Sequence, residues 1–92
     1  MNTRIAVISM IVERREVSAE LNELLHAYGQ YVIGRMGVPY RQRGVHIICL
    51  ALEAPQDVIS TLSGKLGRLD GVTVKATYSN CAYPEADHAV DG

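Results

Sequence analysis

The sequence predicts an α+β fold whose elements run strand, helix, strand, strand, helix, strand. Two short segments, Ile5–Val12 and Val45–Glu53, are apolar on both faces, which is typical of strands at the centre of a sheet. Two longer segments carry apolar residues at helical spacing. This order is that of the ferredoxin-like βαββαβ sandwich, in which the first and third strands are central. We therefore expect an antiparallel four-stranded sheet with two helices on one face.

The first helix is predicted from about Glu16 to Tyr28. Its apolar side chains recur at i, i+4, i+7, i+8 and i+11 and form one stripe: Val17, Leu21, Leu24, Leu25 and Tyr28. Gly29 follows, and glycine commonly ends a helix in the left-handed conformation, so we expect such a cap there. His26 lies off the stripe and is expected to be solvated.

The second strand is predicted over Tyr31–Val38 and is weaker than the two central strands. Gly34 and Gly37 interrupt it, which favours an edge strand, a bulge or a close approach of another backbone. Pro39 lacks a backbone donor and is expected to end the strand. The segment Pro39–Gly44 is then the turn of a hairpin that leads into the third strand.

The second helix is predicted to begin at Pro55, because proline is favoured at the first helical position and Asp57 places an acid in the first turn. Its buried stripe comprises Val58, Ile59, Leu62, Leu66 and Leu69. Gly64 and Gly67 lower its helix propensity, so we expect either a packing reason for them or an early end near Gly67. Val72–Tyr78 alternates in polarity and is the predicted last strand.

Length and composition indicate one small domain. The chain has 92 residues, which suits a single folded unit over residues 1–79. Residues 80–92 are small, polar and acidic, with Glu85, Asp87 and Asp91 and no lysine or arginine, and are expected to be a disordered tail. The formal net charge of −1 argues against non-specific binding of nucleic acid.

Cysteine usage and hydropathy indicate where the protein resides. Cys49 and Cys81 are the only two cysteines, too few for a disulfide framework, so a reducing, cytoplasmic location is expected. No apolar run approaches the ~18–20 residues of a membrane span, so no membrane partner is expected.

Several kinds of chemistry are not supported by the residues. An iron–sulfur ferredoxin needs four cysteines, and an RNA-recognition domain needs aromatic residues on its central strands, which here have none. Cys49 and His46 point to opposite faces of their strand and do not form a nucleophile and base. We expect no catalytic residue and no metal site. Cys49 is interpreted as an interface packing residue, with a metal site built by His46 or Cys49 across an interface as the alternative.

The hairpin is the best candidate for a binding site. Residues 34–44 hold three arginines, one tyrosine and three glycines. The predicted ligand- or partner-binding residues are Arg35, Gly37, Tyr40, Arg41, Arg43 and Lys65. Guanidinium groups offer forked donors to a small anionic or polar effector or to a protein partner. The alternative is a solvated hairpin tip, with Lys65 lying along the edge of its helix stripe.

The sheet face without helices is predicted to be bare and apolar. Alternation assigns to it Ile5, Val7, Ser9, Ile11, Val45, Ile47, Cys49 and Ala51. Monomeric proteins rarely expose apolar patches above a few hundred Å². We therefore expect a homo-oligomer, either a dimer or a dimer of dimers, joined through the sheet face.

Four stretches carry a resemblance to a known family: Arg4–Ser9, Ile33–Tyr40, Ala54–Ser60 and Leu62–Gly67. They resemble the small presumed regulators of the iron-only hydrogenase system, and the likeness runs from about residue 4 to residue 78. The resemblance implies an ACT-like domain, similar in fold to the effector-sensing domain of nickel-responsive repressors. Such domains assemble through their sheets and often bind small ligands between subunits. The multi-histidine pattern of the nickel site is missing, so metal sensing does not carry over.

Three functional hypotheses follow. The first is an oligomeric, non-enzymatic regulatory or ligand-sensing module of the hydrogenase system, and the sequence does not identify a cofactor for it. The second is an interaction protein that docks on a hydrogenase-maturation or redox partner without a small ligand. The third is a minor enzyme with its site in a cavity of the sheet. Because every element belongs to the one domain and none forms a DNA-binding motif, no direct, specific DNA binding is expected.

Overall fold

The structure is a computed structural model that describes residues 2–80 and 82–84, and these residues form the predicted ferredoxin-like fold. Its strands and helices, in chain order, are β1 (Asn2–Val12), α1 (Ser18–Ala27), β2 (Val32–Tyr40), β3 (Val45–Ala54), α2 (Gln56–Gly67), β4 (Val72–Tyr78) and β5 (Tyr83–Pro84). The main strand order is β2-β3-β1-β4, with every neighbouring pair antiparallel. The two doubly apolar strands are central, as predicted.

The hydrophobic core lies between one face of the sheet and the two helices. The register pairs Ile8 with Leu50, and both side chains are fully buried. The remaining buried apolar residues are Ala6, Met10, Val12, Val17, Leu21, Leu25, Ile48, Leu52, Ala54, Ile59, Leu62, Leu66 and Val72. The predicted helix stripes therefore face the core, and alternate residues of the central strands are left for the opposite face.

The first helix begins and ends in tighter turns than expected. A 3-10 turn over Arg15–Val17 leads into α1, and a second one, Gly29–Tyr31, follows it. The prediction of a left-handed cap at Gly29 is wrong, because the only described residues with positive φ are Gly44 and Gly71. The backbone is satisfied in another way: the N–H of Tyr31 donates to the carbonyl of Tyr28 at 3.0 Å.

The second strand is longer than predicted. It continues through Pro39, which pairs with His46, and ends at Tyr40, so the expectation that Pro39 would end the strand is wrong. A proline is tolerated here because β2 is an edge strand and only one side of it enters the ladder. The expected irregularity is present as a shift in register between Val32 and Gly34. The turn therefore comprises only residues 41–44, and its last residue, Gly44, has φ +65°.

The second helix ends where the sequence predicts, and its two glycines do not contact other elements. The helix α2 ends at Gly67, as expected, and a Cβ at Gly64 or Gly67 would meet nothing within 4 Å, so neither glycine has a packing reason.

The segment predicted as a disordered tail, residues 80–92, includes a short strand, β5. The short strand β5 extends the sheet by pairing with Asn2 and Thr3. Cys81 and residues 85–92, which include His88, lie outside the described residues.

The turn before β4 requires a glycine at position 71. Gly71 has φ +78°, and a Cβ there would overlap the aliphatic carbons of Arg14. Arg14 is held in place by an ion pair, with 2.7 Å between its Nη1 and Asp70 Oδ2. We expect Gly71→Ala to lower the free energy of unfolding by about 1–3 kcal/mol, through backbone strain and displacement of Arg14.

Gly64→Ala is the matched control for Gly71→Ala. It adds the same methyl group inside α2, where space is open, and should stabilise the protein by about 0.8–1 kcal/mol. Urea unfolding followed by circular dichroism measures both changes. A Gly71→Ala variant as stable as the parent would contradict this account of the turn.

Candidate functional site

A small pocket of about 170 Å³ lies at the end of the sheet where the β2–β3 hairpin turns. We call it the hairpin pocket; its lining comprises Val12, Arg14, Arg15, Ser18, Pro39, Tyr40, Arg41, Gly44, Val45 and His46. The register explains why residues distant in sequence meet here, since His46 pairs with Val12 on one side and with Pro39 on the other. The end of β1 and the start of α1 therefore form one wall, and the hairpin forms the other.

The lining of the hairpin pocket is basic. It includes three arginines and one histidine and no acidic side chain. Arg14 is partly neutralised, since its guanidinium pairs with Asp70 and lies 3.9 Å from Glu16 Oε1. Arg15 and Arg41 form no ion pair with the described part of the chain. Two guanidinium groups thus remain available as donors to an anion.

The position of His46 in the pocket depends on Gly37. A Cβ at Gly37 would lie only 3.1 Å from Nε2 of His46, which is closer than ordinary van der Waals contact. The missing side chain leaves room for the half-buried imidazole over the neighbouring strand. Gly37 was predicted as a binding residue, and the structure places it behind His46 instead of on the pocket surface.

The other predicted binding residues are not all brought together. Tyr40 and Arg41 line the hairpin pocket, whereas Arg43 is exposed in the same turn and does not. Arg35 lies six residues before Arg41, or about 20 Å along the strand. It pairs with Leu50 and so faces the helix side of the sheet, opposite Met36, as strand alternation predicted.

Arg35 belongs to a second, wider groove. This groove has a volume of about 580 Å³ and runs between α1 and β2, with Arg35, His26 and Asn22 as its polar residues and Leu25, Gly29, Val32 and Leu50 completing its lining. His26 is exposed, as expected. With one arginine on a partly apolar floor, the groove has less positive charge than the hairpin pocket.

Lys65 is held by the first helix. Its Nζ donates a hydrogen bond to the Tyr28 hydroxyl at 3.2 Å and lies 5.5 Å from the centre of the Tyr28 ring. It lines a shallow surface pocket of about 350 Å³ beside Glu20 and Glu23. Lys65 therefore does not line the hairpin pocket that Tyr40 and Arg41 line.

The open sheet face is the second candidate site. We define it by its exposed apolar residues on the three neighbouring strands β1, β2 and β3: Ile5 (37% exposed), Val7 (42%), Ile11 (45%), Met36 (58%), Val38 (46%), Tyr40 (46%) and Ile47 (41%). They are contiguous, because Ile47 pairs with both Ile11 and Val38. Half-buried Cys49 pairs with Ser9 and Met36 in the adjoining row. This face can be covered only by something outside the described residues of one chain.

The described residues contain neither a cluster of metal ligands nor a membrane-spanning helix. No group of three or more His, Cys, Asp or Glu residues that could hold a metal ion occurs within residues 2–80 and 82–84. His46 and Cys49 lie on opposite faces of β3, as predicted from their spacing. None of the described helices is both long enough and apolar enough to cross a membrane.

Sequence reasoning missed four polar or charged residues of the hairpin pocket: Arg14, Arg15, Ser18 and His46. Arg14 and Arg15 lie just after the first strand that the sequence predicts, Ile5–Val12. The antiparallel pairing of β1 with β3 was predicted, and the register would have placed the end of β1 beside the hairpin. The charged pair at that strand end was therefore the signal that could have revealed the second wall.

These features define the class of protein: a small ferredoxin-like domain with a basic pocket at one end of its sheet and an apolar face left open. The chain belongs to the TM1266-like family, whose description is "Iron-only hydrogenase system regulator, putative", and the family model matches residues 4–76. The resemblance that the sequence indicated is therefore confirmed.

Solved structures agree with this assignment. The uncharacterized protein TM1266 from Thermotoga maritima is 36% identical in sequence, with a TM-score of 0.80 over 83% of this chain and 96% of that chain. A formyltetrahydrofolate deformylase from Pseudomonas putida is 16% identical, with a TM-score of 0.61 over 84% of this chain and 29% of that one, a likeness of fold alone. No curated protein matches this sequence.

Proposed function

We propose that the protein is a non-enzymatic, cytoplasmic regulatory module of the iron-only hydrogenase system that works as a homo-oligomer joined through the open sheet face. Membership of the TM1266-like family supports the biological setting. The observation that carries the oligomeric part is the contiguous apolar surface across β1, β2 and β3. Apolar patches of this kind mark interaction surfaces.

A second copy of the chain is the occupant that fits this face best. The face is apolar over three strands, and the polar side chains Thr73, Lys75 and Thr77 of β4 border it. Two such faces packed together would bury apolar rows against each other and leave both borders in water. Covering roughly 500 Å² per subunit would contribute on the order of 10 kcal/mol or more before association costs.

The hairpin pocket is the proposed effector site of this module. Its basic lining suits a small anion, and Tyr40 belongs both to this pocket and to the open sheet face. A ligand that contacts Tyr40 can therefore favour or disfavour the assembled state by its differential contacts there. Regulation would pass through a protein partner, since no described element forms a DNA-binding motif.

An interaction protein without a small ligand is the second candidate. The same open face favours it, because a hydrogenase-maturation or redox partner could cover the apolar rows in place of a second copy. The two candidates differ in the species that forms: the first requires purified protein to self-associate, and the second requires it to remain monomeric until the partner is added.

A genetic experiment tests the regulatory role. In the producing organism, the gene is deleted and complemented with the parent, with Ile47→Asp on the open face, or with Thr61→Asp on the exposed surface of α2. We expect the deletion to change the level of active iron-only hydrogenase, and the parent and Thr61→Asp, but not Ile47→Asp, to restore it. Unchanged hydrogenase in the deletion strain would contradict the proposed function.

A further inference from the structure

Resting on the proposed regulatory function, we propose that the hairpin pocket binds the phosphate group of a small-molecule effector. Arg15, Arg41 and His46 are the main donors, and the Ser18 hydroxyl adds another on the α1 side. These residues come from two separate parts of the chain, the segment before and at the start of α1 and the β2–β3 hairpin.

The number of free donors favours a phosphate over a carboxylate. A single guanidinium satisfies a carboxylate through two parallel hydrogen bonds. The pocket offers two guanidinium groups without an ion-pair partner among the described residues, together with an imidazole and a hydroxyl. A phosphate group carries close to two negative charges and at least three acceptor oxygens, and so can use all of these donors.

The size of the pocket indicates how much of the effector it holds. A volume of about 170 Å³ is below the ~300–1,000 Å³ of sites that enclose a whole drug-sized ligand. The pocket therefore accommodates the anionic group and leaves the remainder of the molecule outside. Tyr40 lines the pocket and also belongs to the open sheet face, so the remainder of the effector can extend toward that face.

Charges around the pocket argue against an extended polyanion. Glu16 and Asp70 surround Arg14, and their side chains are 74% and 77% exposed. They would repel the second and third phosphates of a nucleic-acid backbone that approached on this side. A small molecule with one phosphate group, or with two adjacent ones, avoids this repulsion.

The test is a binding titration of the full-length protein with four probes: inorganic phosphate, pyrophosphate, adenosine monophosphate and succinate. Isothermal calorimetry at constant ionic strength, with chloride as the balancing ion, gives each Kd. We expect the phosphate probes to bind more tightly than succinate. Arg41→Ala should raise the Kd of pyrophosphate about tenfold or more, because it removes a charge-assisted hydrogen bond.

Arg43→Ala is the matched control, since it removes the same charge from the same turn but from a residue that does not line the pocket. It should change the Kd by no more than about twofold, because an exposed charge that does not contact the ligand is largely screened by water and salt. Equal weakening in the two variants would overturn the proposal, as would tighter binding of succinate or of a short DNA duplex than of pyrophosphate. Adenosine monophosphate binding more tightly than inorganic phosphate would identify a phosphate carried on a larger molecule.

Failure of this inference and failure of the proposed function are distinguishable. If the protein binds pyrophosphate through Arg41 yet stays monomeric, the assembly part of the proposed function is wrong and the pocket assignment stands. If the protein assembles through the open sheet face but no phosphate probe binds, the pocket assignment is wrong and the assembly stands.

Discussion

Replacing Ile47 with aspartate should convert the assembled protein into a monomer that keeps its fold. Ile47 lies in the centre of the open sheet face, between Ile11 and Val38, and is 41% exposed in the single chain. In an assembly through this face, each subunit would bury an unpaired carboxylate against apolar side chains, which costs several kcal/mol per group. In the monomer the same carboxylate reaches water, so the free energy of unfolding should fall by only about 1–2 kcal/mol, from lower strand propensity and lost burial of Ile47.

Size-exclusion chromatography with light scattering measures the molar mass of the Ile47→Asp variant. Thr61→Asp is the control, because it places the same charge on the exposed surface of α2, on the helix side of the sheet. The control should keep the mass of the parent. An Ile47→Asp protein that assembles as tightly as the parent would show that the open face is not the interface.

Replacing Leu50 with alanine should give the largest loss of folding stability. Leu50 is fully buried in central strand β3, opposite Ile8. Removing three buried carbon atoms leaves a cavity between the sheet and the helices, and such changes cost about 2–5 kcal/mol. Small domains have total stabilities of only about 5–10 kcal/mol, so a substantial part of the stability would be lost.

Cys49→Ala is the matched control for Leu50→Ala, because it truncates the preceding residue of β3, which is half-buried on the opposite, open face. Both changes are made in the Ile47→Asp background, so that assembly does not add to the measured stability. In urea unfolding, Cys49→Ala should cost less than about 1 kcal/mol. Equal losses at the two positions would contradict the assignment of the two faces.

The sequence predicted the two faces of the sheet correctly, and the reason is physical. Side chains alternate along a strand, so once Ile8 and Leu50 are assigned to the core, Val7 and Cys49 must lie on the other face. Helix stripes are equally strong signals, since Leu21 and Leu25 are four residues apart and share one face. Both patterns depend only on the periodicity of a single strand or helix, so they can be recognised in the sequence without knowledge of the tertiary structure.

Local signals that depend on the environment were less reliable. Pro39 was expected to end β2, but its missing donor matters little on an edge strand, and edge position is a property of the assembled sheet. Gly29 was expected to adopt positive φ, but a 3-10 turn satisfies the same backbone groups without it. In each case the residue type is compatible with a second local conformation, and the tertiary structure selects it.

The candidate site was only half predictable. The hairpin supplied Tyr40 and Arg41, which are close in sequence and were recognised by composition. The opposite wall comes from Arg15 and Ser18, which lie more than twenty residues earlier and reach the hairpin only through the pairing of Val12 with His46. Arg35 illustrates the converse error, since closeness in sequence along an extended strand still separates it from Arg41 by about 20 Å.

Sedimentation equilibrium of the unaltered protein at micromolar concentration tests the central claim most directly. The claim is that the open sheet face joins copies of this chain. The monomer has a mass of 10.1 kDa, and the account predicts a dimer or a dimer of dimers in place of it. Data that fit a single monomeric species throughout the micromolar range would contradict the account.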